Sequence, residues 1–401
     1  MERPKFYLVL LGLSHLQKNI EKICKEQKIK LVVFDKKPKQ KKKNQFKANN
    51  KNFLELIKIL KSHRLLEILK KKTSLAYCGS EFGLDAAHKL NLSFNSLFLN
   101  SYPDSKKFIN KKYGTNFFKT NNINTPIRLN FTKALNFLKN EGEIILKPEN
   151  LSGSKGVLML SSIDGFKNNY KKYKKKYKKF ICEEFVEGNG IDVQCYVKKK
   201  KLFKLGLGDR YFSKGKFKVP IHGNFPSILK KNVQNKDYGI LNKLIKKTNF
   251  NNSFIKADFI LDNKKKIFLL EVSPRLHGDV FSSNTIFYYD KKNAPLSIFF
   301  KHFFYNKPMR NIYHKKNKIT VWHSLFFKKK LNRKNLNFVK SKIKALCKPH
   351  QIFLKDKIVS RKTHKDNTTI GGFFWFSVKP EKYKRTMINI QKNLNEYILC
   401  N

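Results

Sequence analysis

A chain of 401 residues, 40% of them hydrophobic, is long enough for two or three domains with a sizeable core, and its longest early apolar run, FYLVLLGL (6–13), is far too short to cross a bilayer. The formal charge of +59 invites a polyanion partner, yet only nine of the 87 basic residues are arginine, the side chain that forks onto phosphates and base edges. The lysines keep company with abundant Asn, Phe, Ile and Tyr, the set that A/T-rich codons encode. No specific nucleic-acid partner is therefore expected, although the field would draw in anionic substrates. Six scattered cysteines (24, 78, 182, 195, 347 and 400) form no CxxC or zinc-spaced cluster and read as reduced thiols of a cytoplasmic enzyme.

Residues 6–11 read as a strand, Gly12 begins a turn, a helix runs to about residue 25, and IKLVVFD (29–35) is a second strand. The positions after Gly12 where a dinucleotide fingerprint needs glycine hold Ser14 and Gln17, so this unit is a scaffold. KKPKQKKKNQFK (36–47) reads as a solvated loop. A helix near 53–70, a strand near 74–78 and GSEFGLDAAHKL (79–90), a turn opening another helix, continue the alternation. The pattern breaks at Tyr102–Pro103, which places a first boundary there.

Residues 105–121 look helical, and Pro126 marks the exit. Strand GEIILKP (142–148), the turn LSGSKG (151–156) and strand VLML (157–160) follow. Tyr170, Tyr173, Tyr177 and Phe180 recur near helical spacing, which favours an amphipathic surface helix over a nucleic-acid stacking platform. Strands are expected at 180–186, 191–197 and 201–208, a helix at 236–248, a strand pair at 255–262 and 266–272, and a helix near 292–305. The remainder holds strands near 318–327 and 370–378 and a final helix at 380–397, with no internal repeat.

Lys147 ends an apolar strand directly before Pro148, where a lysine either snorkels to water or points into a site. The Ser152–Gly153–Ser154–Lys155–Gly156 turn would let backbone N–H groups approach a phosphate, with serine hydroxyls as further donors. It is not a Walker A loop, and a plain hairpin turn fits the same residues. Glu183, Glu184 and Glu187 crowd a strand end in an acid-poor chain, with Asp192 close behind. They suit ribose hydroxyls beside a nucleotide, or they relieve the surface lysine load. Asp258 and Glu271 form the sharper pair, because the turn between their strands can set both carboxylates side by side. Two buried carboxylates repel and need a cation to ionise together. Magnesium, which takes a few carboxylates plus phosphate oxygens and water, is the expected one. Arg275 could grip a carboxylate or phosphoryl group through a bidentate contact.

In this order — lysine, glycine-rich turn, acid-rich strand end, acid pair closing in EVSPRLHGD (271–279) — the chain resembles the ATP-grasp superfamily of carboxylate–amine and carboxylate–thiol ligases. The EVSPR wording is most similar to the formate-dependent glycinamide ribonucleotide transformylase and biotin carboxylase-like branch. The likeness covers residues 5–305. It implies an α/β and α+β architecture: a Rossmann-like parallel-sheet domain over 1–104, an ATP-grasp domain over 105–305 with a lid near 147–200, and a small C-terminal domain over 306–401.

The resemblance also implies roles. Lys147 would contact the α- and β-phosphates of ATP. Lys111 would match the first phosphate lysine, although its usual Asp neighbour is Asn110 and the usual Gly is Asn122. Ser154, Lys155 and Gly156 would form the flexible phosphate loop. Glu184, Phe185 and Val186 would face adenine through their backbone, with Glu184 and Asp192 near ribose. Asp258 and Glu271 would bind Mg2+, or Mn2+ in its place, and Arg275 would stabilise an acyl-phosphate. Many branches carry a metal-binding asparagine where Ser273 stands, so one or two ions are compatible with this chain. The implied reaction phosphorylates a carboxylate, after which an amine or other nucleophile displaces phosphate. Small-molecule acid and amine substrates are the expected partners, and a homodimer stays open. Arg210 and His222, in the polar segment 209–226, and His277 are candidates for substrate contact, with a solvated loop the competing reading of that segment. Two other function classes remain: a nucleotide-holding shell that has lost its chemistry, and, on charge alone, a polyanion-binding protein.

Overall fold

The computed structural model describes residues 5–12, 18–36, 44–140, 142–149, 151, 156–213, 218–229, 231–278, 281–312, 317–327, 333–354 and 371–398. The chain opens with β1 (Phe6–Leu11), α1 (Lys18–Glu26), β2 (Lys30–Asp35), β3 (Gln45–Lys47), α2 (Phe53–Ser62), α3 (Leu65–Lys71), β4 (Thr73–Tyr77) and α4 (Leu84–Ser93). Four parallel strands lie in the order β3-β2-β1-β4. Central β1 is buried along nearly its whole length, which is why it reads as an unbroken apolar run. The single helix expected near 53–70 is two helices, because Arg64 adopts a left-handed conformation (φ 53°) between them. Part of the expected solvated loop at 36–47 pairs as β3.

After α5 (Tyr102–Ser105) comes α6 (Lys111–Thr120). The helix expected at 105–121 is interrupted at Asn110, whose side chain accepts from the Tyr113 N–H at 3.0 Å and caps α6. That cap puts Lys111 at the first position of α6. Next come β5 (Arg128–Leu129), α7 (Phe131–Lys139), β6 (Ile144–Pro148), β7 (Leu158–Leu160), α8 (Ile163–Lys176) and β8 (Phe180–Glu184), whose strands form a small antiparallel sheet in the order β5-β8-β6-β7. This unit has its own core of Ala134, Leu138, Ile144, Leu146, Phe166 and Tyr173. Tyr170 and Tyr173 of α8 pack on Phe180 at 5.1 and 5.7 Å, so the aromatic stripe is a core face.

The rest builds one large sheet from β9 (Gly188–Lys198), β10 (Lys201–Phe212), β11 (Pro220–Phe225), β12 (Ser253–Asp262), β13 (Ile267–Ser273), β14 (Ile319–Leu325), β15 (Gln351–Leu354) and β16 (Gly372–Val378). The interspersed helices are α9 (Lys231–Lys246), α10 (Ile286–Tyr289), α11 (Pro295–Tyr305), α12 (Arg333–Cys347) and α13 (Tyr383–Leu394). Strand order is β13-β12-β9-β10-β11-β14-β16-β15, antiparallel throughout. Two expectations are corrected here. Residues 188–198, placed within the lid near 147–200, belong to this sheet. The polar segment 209–226 is not a solvated loop: it contains the end of β10 and all of β11. The sheet runs without a break from β11 into β14, so residues after 305 extend the central sheet. Helix α12 and strand β15 had no sequence counterpart.

A shared core joins the N-terminal unit to the large sheet. Phe98, Phe254 and Phe299 meet with ring centroids 4.6–5.5 Å apart. Among the described residues no helix is long and apolar enough to cross a membrane.

Candidate active site

Three neighbouring strands set three carboxylates in one row. Asp258 of β12 is in register with Asp192 of β9 on one side and Glu271 of β13 on the other. The β12–β13 register shifts immediately after Asp258, a bulge that re-aims the side chains beside it. Lys256 lies two residues before Asp258 and so shares its face. Its ammonium is 3.0 Å from Asp258 Oδ2 and 2.8 Å from Glu271 Oε1, and the residue is 7% exposed. The cation expected between the acid pair is therefore present in the chain itself. The charge argument for magnesium at that spot is corrected accordingly: Lys256 already lets both carboxylates ionise.

The electrostatics follow from this arrangement. Burial opposes charge on Asp258, but Lys256 and Arg210 hold its pKa far below the carboxylate range. Burial also opposes charge on Glu271, and Lys256 and Lys111 bring it down to about 2. Asp192 goes the other way: burial raises it to about 7, with Arg210 only partly offsetting that. Two adjacent carboxyls thus differ in proton affinity, the asymmetry that acid–base chemistry uses.

Arg210 stands at this cluster, with Nη2 2.9 Å from Asp192 Oδ1 and 3.5 Å from Asp258 Oδ1. His277 Nε2 lies 3.4 Å from Asp258 Oδ1 and 3.9 Å from Asp192 Oδ1, and burial lowers its pKa to about 3, so the ring is neutral. Asp192, expected beside a ribose, instead faces these groups. One carboxylate oxygen each of Asp192 and Asp258 and a His277 ring nitrogen converge within 4.8 Å of one another. Asp192 Oδ1 and Asp258 Oδ1 lack a well-directed hydrogen bond among the described residues.

The lysines approach from other elements. Lys111 Nζ is 3.8 Å from Glu271 Oε2 and donates to Leu151 O at 2.7 Å. Lys147 pairs with Glu183 across β6 and β8, both side chains nearly buried. Gly156 has φ +70°, and a Cβ there would lie 2.7 Å from the Tyr177 hydroxyl, so that turn requires glycine. Ser154 and Lys155 lie outside the described residues.

Other expectations are displaced. The N–H groups of Glu184 and Phe185 bond the carbonyls of Ile127 and Glu143 at 2.9 and 2.8 Å, and Glu184 Oε1 accepts from Ile127 N at 2.9 Å. An adenine contact at 184–186 must therefore use other backbone groups, including those of Val186. Arg275 does not point freely toward a substrate. Its Nε and Nη2 both donate to Glu81 Oε1, at 3.2 and 2.7 Å, and Nη1 donates to Leu276 O. His222 is separated from the cluster. It pairs with Tyr211, which strand alternation sends to the sheet face opposite Arg210, and it stacks on Tyr211 at 4.5 Å. There it lines a cavity of about 230 Å³ with His323 and Tyr383.

Sequence reasoning passed over Lys256 and Glu81. The signal for the first was a lone lysine two residues before Asp258 in an otherwise apolar strand. Glu81, in the turn that opens α4, carried no signal without its partner Arg275.

Residues 109–279 match the profile of the ATP-grasp domain family. A search of curated protein sequences returns no significant match. Among solved structures the chain is similar to an L-amino acid ligase from Bacillus licheniformis, at 14% identity and TM-score 0.70 over 100% of both chains. It is also similar to a carboxyaminoimidazole ribonucleotide synthase from Aspergillus clavatus complexed with ATP, at 11% identity and TM-score 0.69 over 98% of both. An N5-carboxyaminoimidazole ribonucleotide synthetase from Thermotoga maritima matches at 13% identity and TM-score 0.65 over 99% of both.

Proposed function

We propose, from the match of residues 109–279 to the ATP-grasp domain family, that this chain is an ATP- and Mg2+-dependent ligase that activates a small-molecule carboxylate as an acyl-phosphate and joins it to an amine. The observation that carries this reading is the row Asp192–Asp258–Glu271 with Lys256, Arg210 and Lys111 packed against it. Alternating cations and anions on a buried sheet face are what a site handling triphosphate and carboxylate charge requires.

Lys111 and Lys147 supply positive charge for the phosphates from α6 and β6. Asp258 and Glu271 present oxygen donors that would hold magnesium, and the ion would supply positive charge against the phosphates. Arg210 orients the acid whose oxygen attacks the terminal phosphorus. Asp192, which burial raises to about 7, would accept the proton that the amine sheds when it displaces phosphate. The small sheet from β5 to β8 acts as the lid that excludes water from the acyl-phosphate.

The test is ADP release by the full chain across a panel of carboxylates and amines. The reading expects release that depends on one acid and one amine together, and its loss in Glu271→Gln. Unchanged turnover in that variant would remove Glu271 from the site. A second reading, a nucleotide-holding shell without chemistry, is favoured by the capture of Arg275 by Glu81. It predicts nucleotide binding with no ADP release for any pair in the panel.

A further inference from the structure

We propose that the Lys256 ammonium is a displaceable counter-cation that competes with a divalent ion for Asp258 and Glu271, with Gln194 as its second seat. The inference rests on the reading of those two carboxylates as metal ligands. Its first support is geometric. Lys256 Nζ touches one oxygen of each carboxylate, at 3.0 and 2.8 Å, so an ion bridging the same inner oxygens must move it. The second support is electrostatic. Lys256, Arg210 and Lys111 all stand within 4 Å of the pair. With that positive charge nearby, a bare dication gains little by approaching.

The third support is a vacancy in hydrogen bonding at a neighbouring position. Gln194 of β9 is directly opposite Lys256 in the β9–β12 register. It is fully buried, and neither its Oε1 nor its Nε2 has a hydrogen-bond partner among the described residues. A buried amide without a partner is costly, and an ammonium that reached it would offset that cost. Cross-strand partners are near enough for a lysine stem to turn its ammonium from the carboxylates to that amide oxygen. Lys256 thus has two seats: between the acids when no metal is bound, and against Gln194 Oε1 when the ion enters with its nucleotide. Metal binding is thereby made conditional on the nucleotide, whose phosphates supply the negative charge that tips the exchange.

The experiment is a Mn2+ titration of the full chain without nucleotide, read by electron paramagnetic resonance, for the wild type, Lys256→Met and the double variant Lys256→Met/Glu271→Gln. The expected result is weak binding by the wild type, about tenfold or more tighter binding by Lys256→Met, and loss of that gain in the double variant. Equal affinities in the wild type and Lys256→Met would overturn the proposal. Should Lys256→Met fail to fold, the wild type alone still decides, because tight nucleotide-free Mn2+ binding at Glu271 contradicts a competing lysine. Gln194→Leu leaves the ammonium no second seat and is expected to weaken Mn2+ binding in the presence of a non-hydrolysable ATP analogue; unchanged binding there removes Gln194 from the account. Failure of that analogue to bind any protein would sink the ATP reading on separate grounds, leaving the nucleotide-free comparison intact.

Discussion

Glu81 and Arg275 join residues 194 positions apart, and both side chains are nearly buried. Glu81 Oε1 also accepts from Ser273 Oγ at 3.2 Å, and Ser273 Oγ is 3.4 Å from Glu271 Oε1. One carboxylate from the N-terminal unit therefore fixes the end of β13 and, through Ser273, borders the acid row. Removing it strands a buried guanidinium, a change that typically costs about 3–5 kcal/mol. Glu81→Ala should lower the unfolding midpoint sharply, while Glu81→Gln should restore part of it by keeping an acceptor. Equal midpoints for wild type and Glu81→Ala in denaturant titration would show that the pair contributes no stability. The same residue shows where reading a sequence stops. Asp258 and Glu271 carried signals in their own strands, and Arg275 in the segment just after β13. Glu81 and Lys256 became meaningful only when folding set them beside those residues.

At the scale of elements, β10 and β11 explain the largest gap in the sequence reading. From residue 208 on, their alternation is polar on one face, with Asp209, Tyr211, His222 and Asn224, and carries Gly208 and Gly223 on the other. Without apolar alternation there, the pattern gave no strand beyond the one expected at 201–208. The glycines are there for close packing: a Cβ on Gly223 would sit 2.5 Å from both Asp209 O and Trp322 Nε1. Gly223→Ala should cost about 1–3 kcal/mol, read as a lowered thermal midpoint, and a neutral effect would show that Trp322 can shift freely. Helix α9 carries a different weakness. Asp237 is fully buried, its oxygens have no hydrogen-bond partner among the described residues, and burial raises its pKa to about 8. A folded-state value above the unfolded one means that its contribution is complete below about 3.8 and is lost as pH rises through about 8. Asp237→Asn removes that loss and should stabilise the protein near neutrality by on the order of 3 kcal/mol. A midpoint at pH 8 no higher than wild type would contradict this.

Over the whole molecule, the N-terminal parallel sheet and the small antiparallel sheet were legible because their strands are short apolar runs bounded by turn residues. In the last hundred residues β14, β16 and α13 were legible as elements, but α12, β15 and the pairing of these strands were not. Their strands complete a sheet begun by β9 to β12, so their pairing is set by residues far away in sequence. That junction is also where acid should act first. His222 and His323 lie buried with ring centroids 5.9 Å apart, and burial lowers them to about 3 and 4 from an ordinary 6.5. Folded-state values below the unfolded one give stability that is present above about 6.5 and lost as pH falls through about 4. Acid titration should therefore expose Trp322 and Trp375 of β14 and β16 before the N-terminal unit unfolds. Tryptophan fluorescence unchanged down to pH 4, with helical signal lost first, would contradict that order.

Calorimetric titration of the full chain with a non-hydrolysable ATP analogue and Mg2+ tests the proposed nucleotide site over β6, α6 and the β12–β13 row. Saturable one-to-one binding is expected for the wild type and about 10–100-fold weaker binding for Lys147→Ala, the loss of one charge-assisted phosphate contact. No binding by the wild type, or identical affinity in Lys147→Ala, would contradict it.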